Sequence, residues 1–393
     1  MSKFTIIIVG AGLGGLALAQ ALRRHGVAVS VYERDLALDS RRQGYRLHLD
    51  SVAWDALHQL LPPVLVDLLT ATTGTPRPRF TLLDRDLNEL FGQESAEPAF
   101  AVDRLTLRAI LLTGIEDSVV FGTPVTGYHT AGDGRIAVHL SDGSTVHGDV
   151  LVGADGINSV VRQQYLPNAR IVETGVWQIY GAIPLTDDTR KLFDDRMFGV
   201  FTMITGADGS FVGVAPVEFP ENPAAAAARL TPGSMLASVS DYMTCSFGAR
   251  SDWFGPAEQS LRHVDGDQLH DIIATAVLTW HPRVQEIIAH CDPMTLFALP
   301  LRSSVPIPAW NTTRVTLLGD AIHAMSPASG SGACTALRDA AGLASALTHA
   351  VDGDLHAALR DYEQHMVDYG FTAVRAGAAN GERFLDQKPL PLQ

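Results

Sequence analysis

Phe4-Thr5-Ile6-Ile7-Ile8-Val9-Gly10-Ala11-Gly12-Leu13-Gly14-Gly15 opens a pattern that runs on through Leu16–Arg24 to Val27-Ala28-Val29-Ser30-Val31-Tyr32-Glu33. The first run is β-branched and suits a strand buried on both faces; the second, rich in Ala and Leu, favours helix; the third returns to strand. Strand, glycine turn, helix and strand make a βαβ unit with a right-handed crossover, and hence the start of a doubly wound parallel sheet. In the GxGxxG turn the first glycine permits a tight bend. The second lets backbone approach a pyrophosphate, and the third lets helix and strand pack closely. Glu33 stands at the end of the second strand, where a carboxylate can accept from a ribose hydroxyl. The turn predicts a dinucleotide site on Gly10, Gly12, Gly15 and Glu33, at a helix N-terminus whose N–H groups and dipole favour phosphate.

Outward from this unit, Ser51–Leu61 and Leu105–Leu112 have helical periodicity, and Arg135–Leu140 and Ser144–Val150 alternate around Ser141-Asp142-Gly143 as a hairpin. Between Arg170 and Pro300 the texture becomes strand-like, as in Phe198–Met203 and Phe211–Val217. The alanine run Ala224–Ala228 follows Asn222-Pro223, a helix start and not a linker. The first texture then resumes with a short strand pattern at Arg314–Leu318 and a long helix at Ala333–Ala350. The expected architecture is α/β: a Rossmann-like dinucleotide-binding domain interleaved with an antiparallel-sheet domain. We expect the first to comprise residues 1–72, 98–170 and 302–393 and the second 73–97 and 171–301.

Composition narrows the function. The 393 residues are 46% hydrophobic and 18% charged, enough to bury a sizeable core. The net charge of −14 repels a phosphate backbone or an anionic membrane and argues against nucleic acid as partner. Three dispersed cysteines, Cys245, Cys291 and Cys334, lack zinc-ligand spacing and do not make a disulfide framework. The glycines interrupting Phe4–Leu22 argue against a leader or a membrane span, and the cytoplasm is the expected location.

Two further motifs lie at strand ends. Leu151-Val152-Gly153-Ala154-Asp155-Gly156 places an Asp-Gly pair between a strand and a helix. Leu317-Leu318-Gly319-Asp320 runs on through Pro327 to Gly330-Ser331-Gly332-Ala333 at the head of the long helix. An Asp after a strand can bind polyol hydroxyls, and helix N–H groups can face an anionic ring edge.

With these three motifs in order, nearly the whole chain resembles the flavoprotein monooxygenase family that includes para-hydroxybenzoate hydroxylase and the tetracycline-inactivating monooxygenases. The resemblance implies bound FAD, transient NAD(P)H without its own Rossmann domain, and O2 as co-substrate. It implies that Gly10, Gly12, Gly15 and Glu33 hold the ADP half, with Arg34 flanking the adenosine and Arg104 as an FAD-contacting arginine. Asp155 and Gly156 would lie near the pyrophosphate, Gly319 and Asp320 on the ribityl chain, and Pro327, Gly330 and Gly332 beside the isoalloxazine. The chain departs from the family at Cys334, where an Asn is common, and at Arg46, where a small residue is common. Arg46 and His48 could touch substrate or cofactor, or be solvated strand residues.

The function so implied is oxygenation, by hydroxylation or epoxidation, of a small apolar or aromatic, polyketide-like natural product. An FAD-dependent reductase or dehydrogenase, or a redox-neutral cyclase or binding protein, is the alternative. Trp177-Gln178-Ile179-Tyr180 lacks the paired-tryptophan pattern of flavin-dependent halogenases. No catalytic base or metal ligand is readable. His263, His270, His281 and His290 are expected to serve surface or packing, and Trp177, Tyr180, Phe198, Met203 and Trp253 either core or pocket wall. The segment Leu355–Met366 is expected to pack on the FAD region, in the family's compact form without a further C-terminal domain.

Overall fold

A computed structural model describes residues 4–40, 44–350 and 353–391. Thr5–Val9 pairs in parallel with both Ala28–Tyr32 and Val150–Gly153. Val119–Val120 and Val315–Leu317 complete a five-stranded sheet, also in parallel. Ile6, Ile7, Ile8, Val150, Leu151 and Val152 are all buried, as strands covered on both faces require. Helix Leu13–Arg24 packs on this sheet, and helix Gly332–Ala350 packs on that helix.

The expected hairpin forms, and the strand that follows it joins another sheet. Ile136–Leu140 and Thr145–Gly148 lie with Val125–Thr130 in a three-stranded antiparallel sheet, whereas Val150–Gly153 belongs to the parallel one. Gly148 sits against Ile7, where an added Cβ would come 2.9 Å from Cγ1, so the two layers touch at the changeover.

A seven-stranded sheet forms the second half, in the order Phe297–Ser304, Ile171–Pro184, Tyr242–Arg250, Phe211–Val217, Gly199–Thr205, Arg77–Asp84 and Glu89–Glu94. Gly199–Thr205 and Arg77–Asp84 run parallel, and the other pairs are antiparallel. One face is apolar: Ile179, Val212, Val214, Met243 and Phe247 pack under helices Gly266–Ala276 and Pro282–Ala289. Residues of opposite parity, among them Gln178, Tyr180, Gly213, Ala215, Thr244 and Ser246, form the other face.

Arg46–Leu49 and Phe100–Asp103 make a two-stranded ribbon, which meets the seven-stranded sheet through the Arg46 Nε bond to the Pro216 carbonyl at 2.9 Å. Trp177, Phe198 and Trp253 belong to the apolar core, while Met203 packs on the opposite face. His281 caps its helix, accepting from the Arg283 N–H at 3.1 Å, and His270 and His290 bond helix carbonyls.

The C-terminal segment exceeds the sequence expectation. Leu355–Phe384 is a single helix of 30 residues. Gly370, Gly377 and Gly381 interrupt its pattern because the helix presses on the turn at 323–326; a Cβ at Gly370 would lie 2.7 Å from His323 Cδ2. Among the described residues no helix is long and apolar enough to cross a membrane, and no group of His, Cys, Asp or Glu could hold a metal.

Candidate functional site

All three glycine and aspartate turns lie at the carboxyl ends of adjacent parallel strands, where ligands bind in open α/β sheets. Gly10 has φ +104°, and an added Cβ would stand 2.4 Å from the Ala154 carbonyl oxygen, so the first turn is built directly against the second. At Gly15 the Cβ would be 2.1 Å from the Gly10 carbonyl oxygen. Gly12 differs, because no atom of the described residues lies within 4 Å of its Cβ position. The outer side of the turn is open to a ligand at the start of the Leu13–Arg24 helix.

Glu33 is buried, and both of its oxygens accept hydrogen bonds. Its Oε2 accepts from the Ala11 N–H at 2.8 Å, its Oε1 from the Asp35 N–H at 2.9 Å, and Arg108 Nη2 lies 3.4 Å away. Arg108 also donates to the carbonyls of Ala11 at 2.7 Å and Leu38 at 2.6 Å. This arginine was not anticipated from sequence. Its signal is a cation inside the apolar stripe of Leu107, Ile110 and Leu111. Arg34 is exposed beside Glu33, and Arg104 begins the same helix as Arg108, its N–H bonded to the Tyr45 carbonyl.

Asp155 caps the next turn. Its Oδ2 accepts from the Val160 N–H at 2.7 Å, while Oδ1 is enclosed without a partner among the described residues. Burial raises its pKa above the ordinary carboxylate value, against the hydrogen bonds it accepts. Gly156 follows with φ +72° and open space around it. Arg162, one turn on, is buried and donates to the Ala321 carbonyl at 2.9 Å, tying the second motif to the third.

In the third motif Asp320 is exposed at the head of a short helix, directly after the left-handed Gly319. Behind it lies a network that sequence reading missed. Asp339 Oδ2 accepts from the Gly319 N–H at 2.7 Å and stands 2.6 Å from His323 Nε2, and its Oδ1 accepts from the Tyr369 hydroxyl at 2.6 Å. His323 and Asp339 are completely buried. Burial, the largest single influence, disfavours the imidazolium, but the charge and hydrogen bond of Asp339 together with the Asp320 charge outweigh it and raise the His323 pKa above its ordinary value. The sequence signal is an Asp on the buried face of an Ala- and Leu-rich helix.

Pro327 and Gly330 are exposed in the loop leading to Gly332, and His48 Cδ2 lies 3.9 Å from a Cβ built on Gly330. Cys334 Sγ donates to the His48 carbonyl at 3.4 Å, and burial pushes its thiol up to about 12, so it stays protonated. The structure thus brings the third motif next to the ribbon that carries Arg46 and His48. Arg46 and His48 are half-buried, with the Nη2 atom of the one and the Nδ1 atom of the other enclosed.

These residues fit an FAD. The Gly12 side of the first turn is open, Asp155 Oδ1 lacks a partner, and Asp320 faces solvent where a polyol could reach it.

Comparison with known proteins agrees. The chain matches the FAD binding domain family over residues 110–375 and the NAD(P)-binding Rossmann-like domain over residues 8–47. It is 31% identical to the dual O-methyltransferase/FAD-dependent monooxygenase CTB3 of Cercospora beticola, over 98% of this chain but 47% of that protein. The chain therefore spans about half the length of that relative. The aurachin C monooxygenase/isomerase of Stigmatella aurantiaca is 28% identical over 93% of this chain and 85% of its own length. Among solved structures, a provisionally assigned FAD-containing monooxygenase from Photorhabdus luminescens superposes with TM-score 0.85 at 29% identity, covering 98% and 99% of the two chains. From its motifs, its fold and these matches, the chain belongs to the FAD binding domain family.

Proposed function

We propose that this chain is an FAD-dependent monooxygenase that uses NAD(P)H and O2 to hydroxylate or epoxidise a small aromatic or apolar, polyketide-like compound. The observation that carries the reading is the meeting of the Asp320–Gly332 turn with the ribbon of Arg46 and His48, itself hydrogen-bonded to the seven-stranded sheet. The Gly10–Gly15 turn with Glu33 and Arg34 would hold the ADP half, aided by Arg104. Asp155 and Gly156 would lie by the pyrophosphate, Gly319 and Asp320 by the ribityl chain, and Pro327, Gly330 and Gly332 by the ring. Bound there, FAD would supply hydride acceptance from the nicotinamide and the activation of O2 by which one oxygen atom passes to the substrate and the other leaves as water.

The chain supplies position and enclosure. Tyr180 stacks on Phe297 with ring centroids 5.4 Å apart, and Tyr45 meets Phe297 at 5.8 Å and Tyr242 at 6.4 Å. This aromatic wall suits a planar substrate and keeps water from the reacting atoms. Urate in the Klebsiella pneumoniae HpxO complex, a neighbour at TM-score 0.78 and 25% identity, is a planar ring compound of this kind.

Anaerobic reduction of the flavin-loaded protein by NADH or NADPH, followed by admission of labelled O2 with a panel of aromatic and polyketide-like compounds, tests the reading. A product heavier by one labelled oxygen is expected. Bound flavin that neither nicotinamide reduces would favour the redox-neutral alternative, and reduction without oxygen incorporation a reductase.

A further inference from the structure

A cavity of about 340 Å³ lies at the edge strand of the parallel sheet, Val315–Leu317, at the end opposite the three motif turns. Its walls are residues 309–312, which lead into that strand, and the first half of helix Leu355–Phe384. The leading segment is pinned in place. Trp310 meets Tyr165 edge-on with ring centroids 6.4 Å apart, the Tyr165 hydroxyl donates to the Asn311 carbonyl at 3.0 Å, and His356 Nε2 lies 3.0 Å from the Thr312 carbonyl. The cavity is thus held open by fixed chain and not by a loose loop.

Glu363 lines it and is only 4% exposed. One carboxyl oxygen accepts from the Thr312 hydroxyl at 2.6 Å and the other from the Thr316 hydroxyl at 2.9 Å, and each retains a further acceptor position. Buried carboxylates are ordinarily paired with a cation, yet Glu363 makes no ion pair among the described residues. The basic residues of the lining are committed elsewhere: Arg360, half exposed, has its Nε 3.9 Å from Asp361, and His356 is held by the Thr312 carbonyl. Burial raises the Glu363 pKa above the ordinary carboxylate value, against the two hydroxyl bonds. Tethering two threonines accounts for those bonds, but not for an unpaired acid placed beside a cavity with an indole and Val367 in its wall.

We propose that this cavity is a second ligand site, for a small organic cation: a primary ammonium on a short apolar body. The ammonium donates to the Glu363 carboxylate and supplies the missing positive charge, while Trp310 and Val367 receive the apolar body. The net charge of −14 favours a cation over an anion at this surface. The site shares no residue with the flavin and substrate contacts proposed above, so it fills with flavin in place, and its failure would leave that reading untouched.

The test is calorimetric titration of the flavin-loaded protein at neutral pH with n-butylammonium, n-butanol and butyrate. The ammonium is expected to bind saturably, one per chain, and about ten- to a hundredfold more tightly than the alcohol or the carboxylate. Glu363→Gln, which keeps the size of the side chain, should abolish that preference. Gln364→Trp, at an exposed lining position, should block the site without disturbing the core. Both variants should keep the flavin content and absorbance spectrum of the unaltered protein. Equal binding of ammonium and alcohol to the unaltered protein, or binding of neither, overturns the proposal whether or not any variant folds. Undiminished ammonium binding in either variant also overturns it, placing the cation elsewhere on an acidic surface.

Discussion

A methyl group added at Gly12 meets no atom of the described residues within 4 Å, whereas at Gly15 it would stand 2.1 Å from the Gly10 carbonyl oxygen. Two glycines of one motif therefore answer to different demands, one to a ligand and the other to the fold. Gly12→Val should give a folded protein whose thermal midpoint without flavin is close to that of the unaltered chain but which retains no FAD. Gly15→Ala should lower stability by several kcal/mol, in the range of overpacked core sites, with or without flavin. Flavin content of the purified variants, read against their circular-dichroism melts, separates the two. Asp320 offers a third case. It is exposed, so Asp320→Ala should change stability by no more than about 0.5 kcal/mol, and FAD affinity by about five- to thirtyfold if its carboxylate binds the ribityl hydroxyls. Unchanged affinity by titration would remove Asp320 from the site. These residues were legible because a glycine or an aspartate at a strand end is local chemistry, readable from neighbours in sequence. Arg108 and Asp339 were not, since what defines them is a partner 75 or 16 positions away.

At the scale of elements, the Asp320–His323 turn is held from behind by two long helices, one contributing Asp339 and the other Tyr369. The sequence shows the first helix clearly through its Ala and Leu periodicity. It shows only the beginning of the second, because Gly370, Gly377 and Gly381 read as breaks until their contacts with the turn are seen. The sign of the coupled ionisation follows from the raised His323 pKa. The stability it contributes is complete below the unfolded value, about 6.5, and is lost as pH rises through the higher folded value. Thermal midpoints should therefore decline from pH 6 towards pH 9. In Asp339→Asn the decline should flatten, and stability near pH 6 should fall by about 3 to 5 kcal/mol, as when one member of a buried pair is removed. A slope that persists unaltered in Asp339→Asn would place the titrating group elsewhere.

The whole molecule has one large buried core around the parallel sheet and a second beneath the seven-stranded sheet. The interleaved organisation was legible because the strand and helix texture changes near residue 170 and changes back near residue 300. How the two halves meet was not, since it rests on contacts between residues far apart in sequence, such as Arg46 to Pro216, 170 positions apart. The three motif turns come from chain segments near residues 10, 155 and 320, all set at the carboxyl ends of adjacent strands of the parallel sheet. A ligand that touches all three must stabilise their common core by mass action, by about 2.7 kcal/mol at a free concentration a hundred times its dissociation constant. Added FAD should thus raise the thermal midpoint of flavin-stripped protein in a concentration-dependent way. Its protection against hydrogen exchange should fall on the strands Thr5–Val9, Val150–Gly153 and Val315–Leu317 and on the helix Gly332–Ala350. Amides of the helices Gly266–Ala276 and Pro282–Ala289, on the far face of the other sheet, should change little. Equal protection of both regions would mean that the molecule opens as one cooperative unit, and the expected division into residues 1–72, 98–170 and 302–393 against 73–97 and 171–301 would then have no counterpart in stability.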